Sequence, residues 1–479
     1  LPHLSTIEKA GIPSVFIIYG DQDECFEQAA KLNGIPYLRR VHCSRTVPGP
    51  EDVDRFLPEL IDALVRPLNE NEKRGGRWEV PDKRVLFEGT LEEADVFYHK
   101  TEIIPTLGNA PMAIYTDGLP VRIPTEERVA AMLKGTSHKP DEIITYQSDH
   151  RLGDRLNQMG NSGKKGDPVH FMPLRRSATV EKIAIIGVMA GCKPEDMPVL
   201  LAIAESGGGC GDGRGGGGYC ISGPIAKEIG MNFEVNVLGA GNQANRSLGR
   251  AADLMFRNLG GNIPSVNNCG VFGGSLTNCF PENAGALPPG WKGLNEEHDF
   301  KKNESVLIPC GVTNHGTQFS PGGYRAFQKS GHGGIARRLG VKGIPGPHNW
   351  LEYIIPGLWA GGEGGITIIM LPEMAQHLYE YGFKSKDEVY EWIYKQSFTT
   401  MKEYRTHSWP DMRTNAWMGI ERTSGKPWKE LPDDYMVPFI NNPYENCIIV
   451  TGAGEEMALY GGGRGGVSSD NAYSIDVWR

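Results

Sequence analysis

No two cysteines in this chain stand in a C-x-x-C arrangement, which removes the strongest signatures of structural zinc sites and thioredoxin-like centres. The nine cysteines are an odd number without regular spacing. A secreted disulfide framework is therefore not expected, and free thiols in a reducing, cytoplasmic compartment are. No apolar run reaches the roughly 18–20 residues that a membrane span needs, the longest being stretches at 183–190 and 365–371. Basic residues are in deficit as well, with 49 Lys and Arg against 58 Asp and Glu and a formal net charge of −9. Such a chain is poorly equipped to displace counterions from a nucleic-acid backbone. No H-E-x-x-H helix and no basic stretch leading into an apolar secretory segment is found.

What is present has the composition of an ordinary globular protein: 39% hydrophobic and 22% charged residues and a mean hydropathy of −0.36. At 479 residues the chain is long enough for two or three domains. Glycine is the outlier, at 63 residues. Much of it clusters at 207–218, 361–365 and 461–466, where backbone turns sharply or approaches something closely. Position 1 is Leu, and residues 1–11 read as the end of a helix stopped by Gly11, so a preceding segment is expected.

Periodicity predicts an α/β fold in two modules joined by a connecting region. Residues 1–67 carry a β-rich apolar run at 14–19 and helical spacing at 24–32 and 53–65, half of an open sheet. Residues 68–168 are polar and Pro-rich, with one clear helix at 125–134, and read as a connection that wraps another surface. Residues 169–479 return to regularity, with helices at 179–190, 197–205, 242–259, 372–381 and 386–395. Strands are expected there at 233–238, 305–309, 365–371 and 447–451. Their alternation predicts a larger α/β domain with a mainly parallel sheet.

Several residue groups fall where chemistry is expected. Gly239-Ala240-Gly241-Asn242-Gln243-Ala244, placed between the strand at 233–238 and a helix, has the context of a dinucleotide fingerprint but lacks the acid expected about 20 residues on. An anion-holding helix start, with Asn242 and Asn245 as donors, and a purely structural turn are the other readings. Cys310 stands at the carboxyl end of the strand at 305–309 with His315 close behind, and an imidazole beside a thiol lowers its pKa. Packing is the alternative, since free cysteine is commonly buried. Glu282 and Asn283, after Cys279-Phe280-Pro281, form a polar cluster on an expected loop, and Glu455-Glu456 are open to readings as a general base or a solvated turn. His315, His332 and His348, with Glu352 and Glu363, form a Gly-rich region able to supply ligands to a divalent metal. Cys210 and Cys220 flank a glycine loop open to readings as a lid, a redox pair or an inert excursion.

The first module resembles the UGSC (seleno)protein family and, more distantly, the selenocysteine subunits of glycine-type reductases, through Ile7-Glu8-Lys9-Ala10-Gly11-Ile12-Pro13-Ser14-Val15. In that family this helix end and strand follow a U/C-G-S-C motif, which here lies before residue 1 or is lost. The larger domain is similar to one that accompanies such modules, through Asp117-Gly118-Leu119-Pro120, Pro124-Thr125-Glu126-Glu127-Arg128, Thr179-Val180-Glu181-Lys182, Val188-Met189-Ala190-Gly191-Cys192, Ser222-Gly223-Pro224-Ile225-Ala226 and Gly241-Asn242-Gln243-Ala244-Asn245.

The resemblance implies a thiol- or selenol-dependent enzyme, cleaving a small organic substrate reductively or by thiol-dependent elimination or transfer. The larger domain then supplies Cys310, His315 and Glu282 as catalytic groups and Gly239, Gly241, Asn242, Asn245 and Ser222 as substrate contacts. The cofactor is left open, either none beyond a reactive thiol or selenol or a divalent metal, and a redox partner protein and a homo-oligomer are expected. A metal-dependent lyase or hydratase built on the three histidines is the alternative, and a non-catalytic subunit of a larger complex is a third.

Overall fold

The computed structural model describes residues 2–19, 23–43, 50–74, 84–103, 111–152, 161–172, 174–207, 218–262, 276–310, 318–319, 346–347, 349–353, 366–407, 420–421, 424–438, 440, 442–454, 457–462 and 472–479. The chain divides into two compact units, Leu1–Gly215 with Arg250–Ser275, and Gly216–Gly249 with Leu276–Arg479. One cut, between Gly249 and Arg250, falls inside a helix.

The first unit opens with helix α1 (Pro2–Lys9), strand β1 (Val15–Tyr19), helix α2 (Asp23–Leu32), strand β2 (Arg39–Cys43) and helix α3 (Pro50–Val65). β1 and β2 pair in parallel, with α2 as the crossover that parallel neighbours need. Ile18, Phe26, Ala30 and Leu38 form the core of this half-sheet. β2 begins with Arg-Arg and reads as surface, yet Arg39 is buried. Its guanidinium donates to the carbonyls of Arg66 (2.9 Å) and Pro67 (3.0 Å) and to both carboxylate oxygens of Glu72 (3.2 and 3.0 Å). Hydrogen bonds from Arg66 and then Arg39 hold the Glu72 carboxyl down at about 2.

Helix α4 (Leu91–Tyr98) and the antiparallel strands β3 (Thr101–Ile103) and β4 (Pro111–Ala113) come next, followed by helices α5 (Glu126–Leu133), α6 (Val180–Ala190) and α7 (Met197–Glu205). α5 and α6 are capped by the hydroxyls of Thr125 and Thr179. α7 reads MPVLLAIAE, apolar around nearly its whole circumference, and every residue of it is buried. Gly187 permits the close packing of α6, since a Cβ there would come within 2.6 Å of Leu200 and 2.8 Å of Met132. Residues 114–122 run along other parts of the unit. Arg250 holds Asp117 by two bonds (2.9 and 2.8 Å), and Asn258 donates to the carbonyl of Tyr115.

The second unit contains strand β5 (Gly218–Ser222), helix α8 (Ile225–Glu228), the first half of helix α9 (Gln243–Asn258), strand β6 (Asn278–Pro281), helix α10 (Leu294–Glu297), and strands β7 (Val306–Cys310) and β8 (Gln318–Phe319). Strand β9 (Ile366–Met370), helices α11 (Pro372–Glu380) and α12 (Lys386–Gln396), strand β10 (Phe398–Thr400) and helix α13 (Met401–His407) follow. Strands β11 (Met436–Pro438), β12 (Cys447–Val450), β13 (Ala458–Gly462) and β14 (Tyr473–Ser474) complete it.

Two four-stranded sheets result, in the orders β14-β7-β5-β6 and β12-β9-β13-β8. The α/β character is as expected, but among the described residues the sheets are mixed rather than mainly parallel. Each sheet holds one parallel pair, β5 with β6 or β9 with β12, and two antiparallel pairs. The reason is connectivity: helices separate the parallel partners, whereas residues 451–457 return from β12 to β13 in a stretch too short for a crossover.

Both sheets follow one plan. A central strand, β5 or β9, leads through helices to a parallel edge partner, β6 or β12. The chain then returns antiparallel on the other side of the central strand, as β7 or β13. The strand after that is exchanged, β8 pairing with β13 and β14 with β7. The carboxyl ends of β6 and β12 are joined directly, Thr451 Oγ1 donating to the Pro281 carbonyl (2.6 Å) and Asn283 N–H to that of Val450 (2.8 Å).

One face of β9 and β12, carrying Ile366, Ile368, Met370, Ile448 and Val450, packs on α11 and α12. The opposite face, with Ile369, Cys447 and Ile449, shares a core with Cys220, Phe280, Ile308 and Cys310 of the other sheet. Strands covered on both faces read as unbroken apolar runs, which is why β9 was visible in the sequence. The strand expected at 233–238 is a turn instead, with Asn236 at φ +68°. Among the described residues no helix is long and apolar enough to cross a membrane.

Candidate functional site

At the carboxyl ends of β5 and β6 the second unit buries a charged cluster. Ser222, the last residue of β5, donates its hydroxyl to Glu282 Oε2 at 2.7 Å, and Glu282 follows β6 by one position. The same oxygen accepts the N–H of Leu294 at 2.7 Å, at the start of α10, while Asn295 N–H binds the Ser222 hydroxyl at 3.1 Å. α10 ends on Glu297. From the opposite side α12 opens with Lys386, whose Nζ donates to Glu282 Oε1 at 3.1 Å and to Glu297 Oε2 at 3.2 Å.

Tyr390, one turn along α12, donates to Glu297 Oε1 at 3.3 Å and accepts the backbone N–H of Ile448 at 3.1 Å. That last bond caps the open edge of β12. Lys386 is an unusual first residue for a helix, because the positive end of the helix dipole repels a cation. Being only 2% exposed, it is largely withdrawn from bulk solvent, and the two carboxylates balance its charge.

A cavity of about 130 Å³ opens on the cluster, with Glu297, Lys386, Tyr390, Cys447, His298 and Asp387 among its walls. At roughly 30 Å³ per water this is room for a few waters or a small metabolite. Burial pushes the Glu297 carboxyl up, Lys386 draws it back, and the charge of Glu282 raises it again, leaving it at about 7. Burial opposes the charge of Lys386, but Glu282 and Glu297 outweigh it and hold the ammonium above its ordinary range. Burial, and then the Glu297 charge, keeps the Tyr390 phenol and the Cys447 thiol protonated. A carboxyl balanced between its two forms, against a fixed cation and open to a cavity, is equipped to take or give a proton near neutral pH.

Of the expected site residues, Glu282 and Ser222 are brought together, although both are buried behind the cavity wall. Cys310 is buried in the shared core of the two sheets, and burial and the neighbouring Cys447 raise its thiol far above the usual range, opposite to what a thiolate nucleophile needs. His315, His332 and His348 lie outside the described residues, as do Glu363, Glu455 and Glu456. Among the described residues no group of three His, Cys, Asp or Glu side chains is arranged to hold a metal ion.

Around Gly239 and Gly241 the backbone turns without a preceding strand, which removes the dinucleotide-binding context. The asparagines there serve the turn itself. Asn242 accepts from Asn245 N–H (3.0 Å) and donates to the Gly230 carbonyl (2.9 Å), and Asn245 is buried, donating to the Val237 carbonyl (3.0 Å).

Comparison of the chain with protein-family models, with curated proteins and with solved structures finds no match. The site therefore rests on its own geometry.

Lys386, Glu297, Tyr390 and Cys447 were not singled out by sequence. One signal was available: Lys386, Val389, Tyr390 and Ile393 share the buried stripe of α12, and a lysine on an apolar stripe needs a buried partner. Nothing in the sequence marks Glu297 as that partner.

Proposed function

We propose that this protein is an enzyme that transfers a proton at carbon in a small organic substrate, in an elimination or its reverse addition. Glu297 acts as the general acid–base, and Lys386 is the fixed cation beside it. The observation that carries this reading is the placement of Glu297, at about 7, on the wall of a small cavity with its two oxygens held by Lys386 and Tyr390. A base poised near the working pH maximises both its reactive fraction and its driving force. Ser222, Glu282 and the α10 backbone act as positioning groups that hold Lys386 in place.

Kinship with the UGSC family, and a thiol or selenol acting with this site, belongs to the same proposal, because thiol-dependent elimination also needs a proton donor and acceptor. With it go a small-molecule substrate, a redox partner protein, a homo-oligomer and a cytoplasmic setting.

The test is solvent deuterium exchange, read by proton NMR, into the α-carbon of small hydroxy, keto and amino acids. Exchange by the wild-type chain that disappears in Glu297→Gln supports the proposal. Wild-type exchange no faster than buffer across all three classes overturns it.

A further inference from the structure

Two donors reach Glu297 at the cavity wall, and they are not equally committed to it. Lys386 Nζ serves Glu282 at 3.1 Å as well as Glu297 at 3.2 Å, and Glu282, fully enclosed, holds the ammonium whichever form Glu297 takes. The Tyr390 hydroxyl, also on the wall, donates to Glu297 Oε1 at 3.3 Å while its oxygen accepts the Ile448 N–H at 3.1 Å. A hydroxyl that accepts one bond is a stronger donor in the other. Burial, and then the Glu297 charge, keeps the phenol protonated, so it donates without competing with Glu297 as a base. Other polar groups on the wall are placed differently. The Asn446 side chain is engaged by the Pro443 carbonyl (2.8 Å) and the Ile366 N–H (3.0 Å), and Lys292 is exposed. A hydrogen bond to a carboxylate draws its strength from the charge. When Glu297 takes a proton from carbon, that charge moves to the substrate, and the Tyr390 hydrogen bond can follow it.

We propose that Tyr390 is a catalytic residue, the hydrogen-bond donor to the oxygen of an enolate formed in this cavity. The substrate is accordingly a small carbonyl or carboxyl compound with a hydrogen on the carbon next to that group. The proposal rests on Glu297 being the acid–base group. The C–H proton passes to Glu297, the C–H electron pair becomes a C=C bond, and the carbonyl π pair moves onto oxygen. The Tyr390 O–H turns about its C–O bond from Glu297 Oε1 to that oxygen, and the phenol keeps its proton. In an elimination the carbonyl then re-forms, and the C=C pair shifts to make the alkene with the β-carbon. The leaving group departs with its bonding pair and takes the proton from Glu297. Run backwards, the same steps are the addition, and no oxidant or reductant is consumed. The donor moves with the charge while Lys386 stays on Glu282.

Deuterium exchange into pyruvate, lactate and alanine, followed by proton NMR over pH values from about 6 to about 10, tests this in wild type, Tyr390→Phe and Glu297→Gln. Y390F takes a donor from the ionised carboxylate, so the midpoint of its rate profile moves up in any event. The plateau at high pH, where Glu297 is ionised in both proteins, separates the roles. The expected result is a plateau about 100-fold below wild type with KM little changed. A plateau that recovers to the wild-type rate overturns the proposal, making Tyr390 a positioning residue that acts only through Glu297. Loss of exchange in E297Q would still uphold the acid–base reading in that case, whereas a wild type that exchanges none of the three compounds overturns both. If Y390F does not fold, 3-fluorotyrosine at position 390 decides, since it keeps both hydrogen bonds and makes the phenol a stronger donor. The plateau then rises severalfold, and an unchanged plateau overturns the proposal.

Discussion

Lys386 Nζ stands 3.1 Å from Glu282 and 3.2 Å from Glu297, with Lys386 and Glu282 almost fully buried. Removing the ammonium leaves two largely buried carboxylates without their shared cation. Lys386→Met should destabilise the second unit by about 3–5 kcal/mol in urea unfolding, the usual effect of stranding one side of a buried pair. Adding Glu282→Gln should recover a substantial part of that loss. A single-mutant loss below about 1 kcal/mol would show that the cluster is solvated in solution.

The pH dependence of Glu297 has a definite sign. Its carboxyl titrates at about 7 in the folded chain against 4.5 ordinarily. Between these values the folded chain holds a proton that the unfolded chain has released. The stabilisation from this group is therefore fully present below 4.5 and is lost as pH rises through about 7. The unfolding free energy of wild type minus that of Glu297→Gln should accordingly decline across that window. A difference that is flat or rises with pH would place the Glu297 carboxyl at or below its ordinary value. Glu72 has the opposite sign, its contribution being lost as pH falls from 4.5 through about 2, and the subtraction removes it.

Much of the helical framework was legible, and the reason is local. α6 and α7 announce themselves through Thr179, Gly191 and long apolar runs, and β9 through the five consecutive apolar or β-branched residues Ile366–Met370. The short strands were not. β6 is Asn-Cys-Phe-Pro and β14 only Tyr-Ser, too brief for any period, and both are specified by the strands they join. Glu282 could be suspected as a polar residue after an apolar run, whereas Glu297 sits in a four-residue helix among other acids. What distinguishes it is Lys386, far away in sequence, and a single chain does not display that pairing.

Gly223, directly after Ser222, has φ +116°, and a Cβ there would lie 2.4 Å from the Glu304 carbonyl and 2.7 Å from Ser305 Cα. Both the backbone conformation and the contact with main chain exclude a side chain. Gly223→Ala should lower stability by about 1–3 kcal/mol or more, and should also shift Ser222 off Glu282. The two effects separate by measurement: calorimetry reads the first, and a change in the carbon-13 titration of Glu297 reads the second. Unchanged stability would mean that the turn relaxes at no cost and that Ser222 is not positioned by it.

The exchange of edge strands makes the chain's end hold a sheet laid down much earlier. Tyr473 and Ser474 pair with Leu307 and Val306, Ile475 N–H donates to the Ser305 carbonyl at 2.9 Å, and Ser305 N–H to Asp476 Oδ2 at 2.7 Å. Tyr473, Ile475 and Trp478 are buried, each contributing on the order of 1.5–3 kcal/mol. A chain ending at residue 471 should therefore lose amide-exchange protection first in β7, which becomes an open edge, and with it the backing of β5 and Ser222. β13 is much nearer in sequence but pairs with β9 and β8, so its protection should persist longer. Loss of protection in β13 before β7 would mean that β14 belongs to the sheet of β9 and that the exchange does not exist.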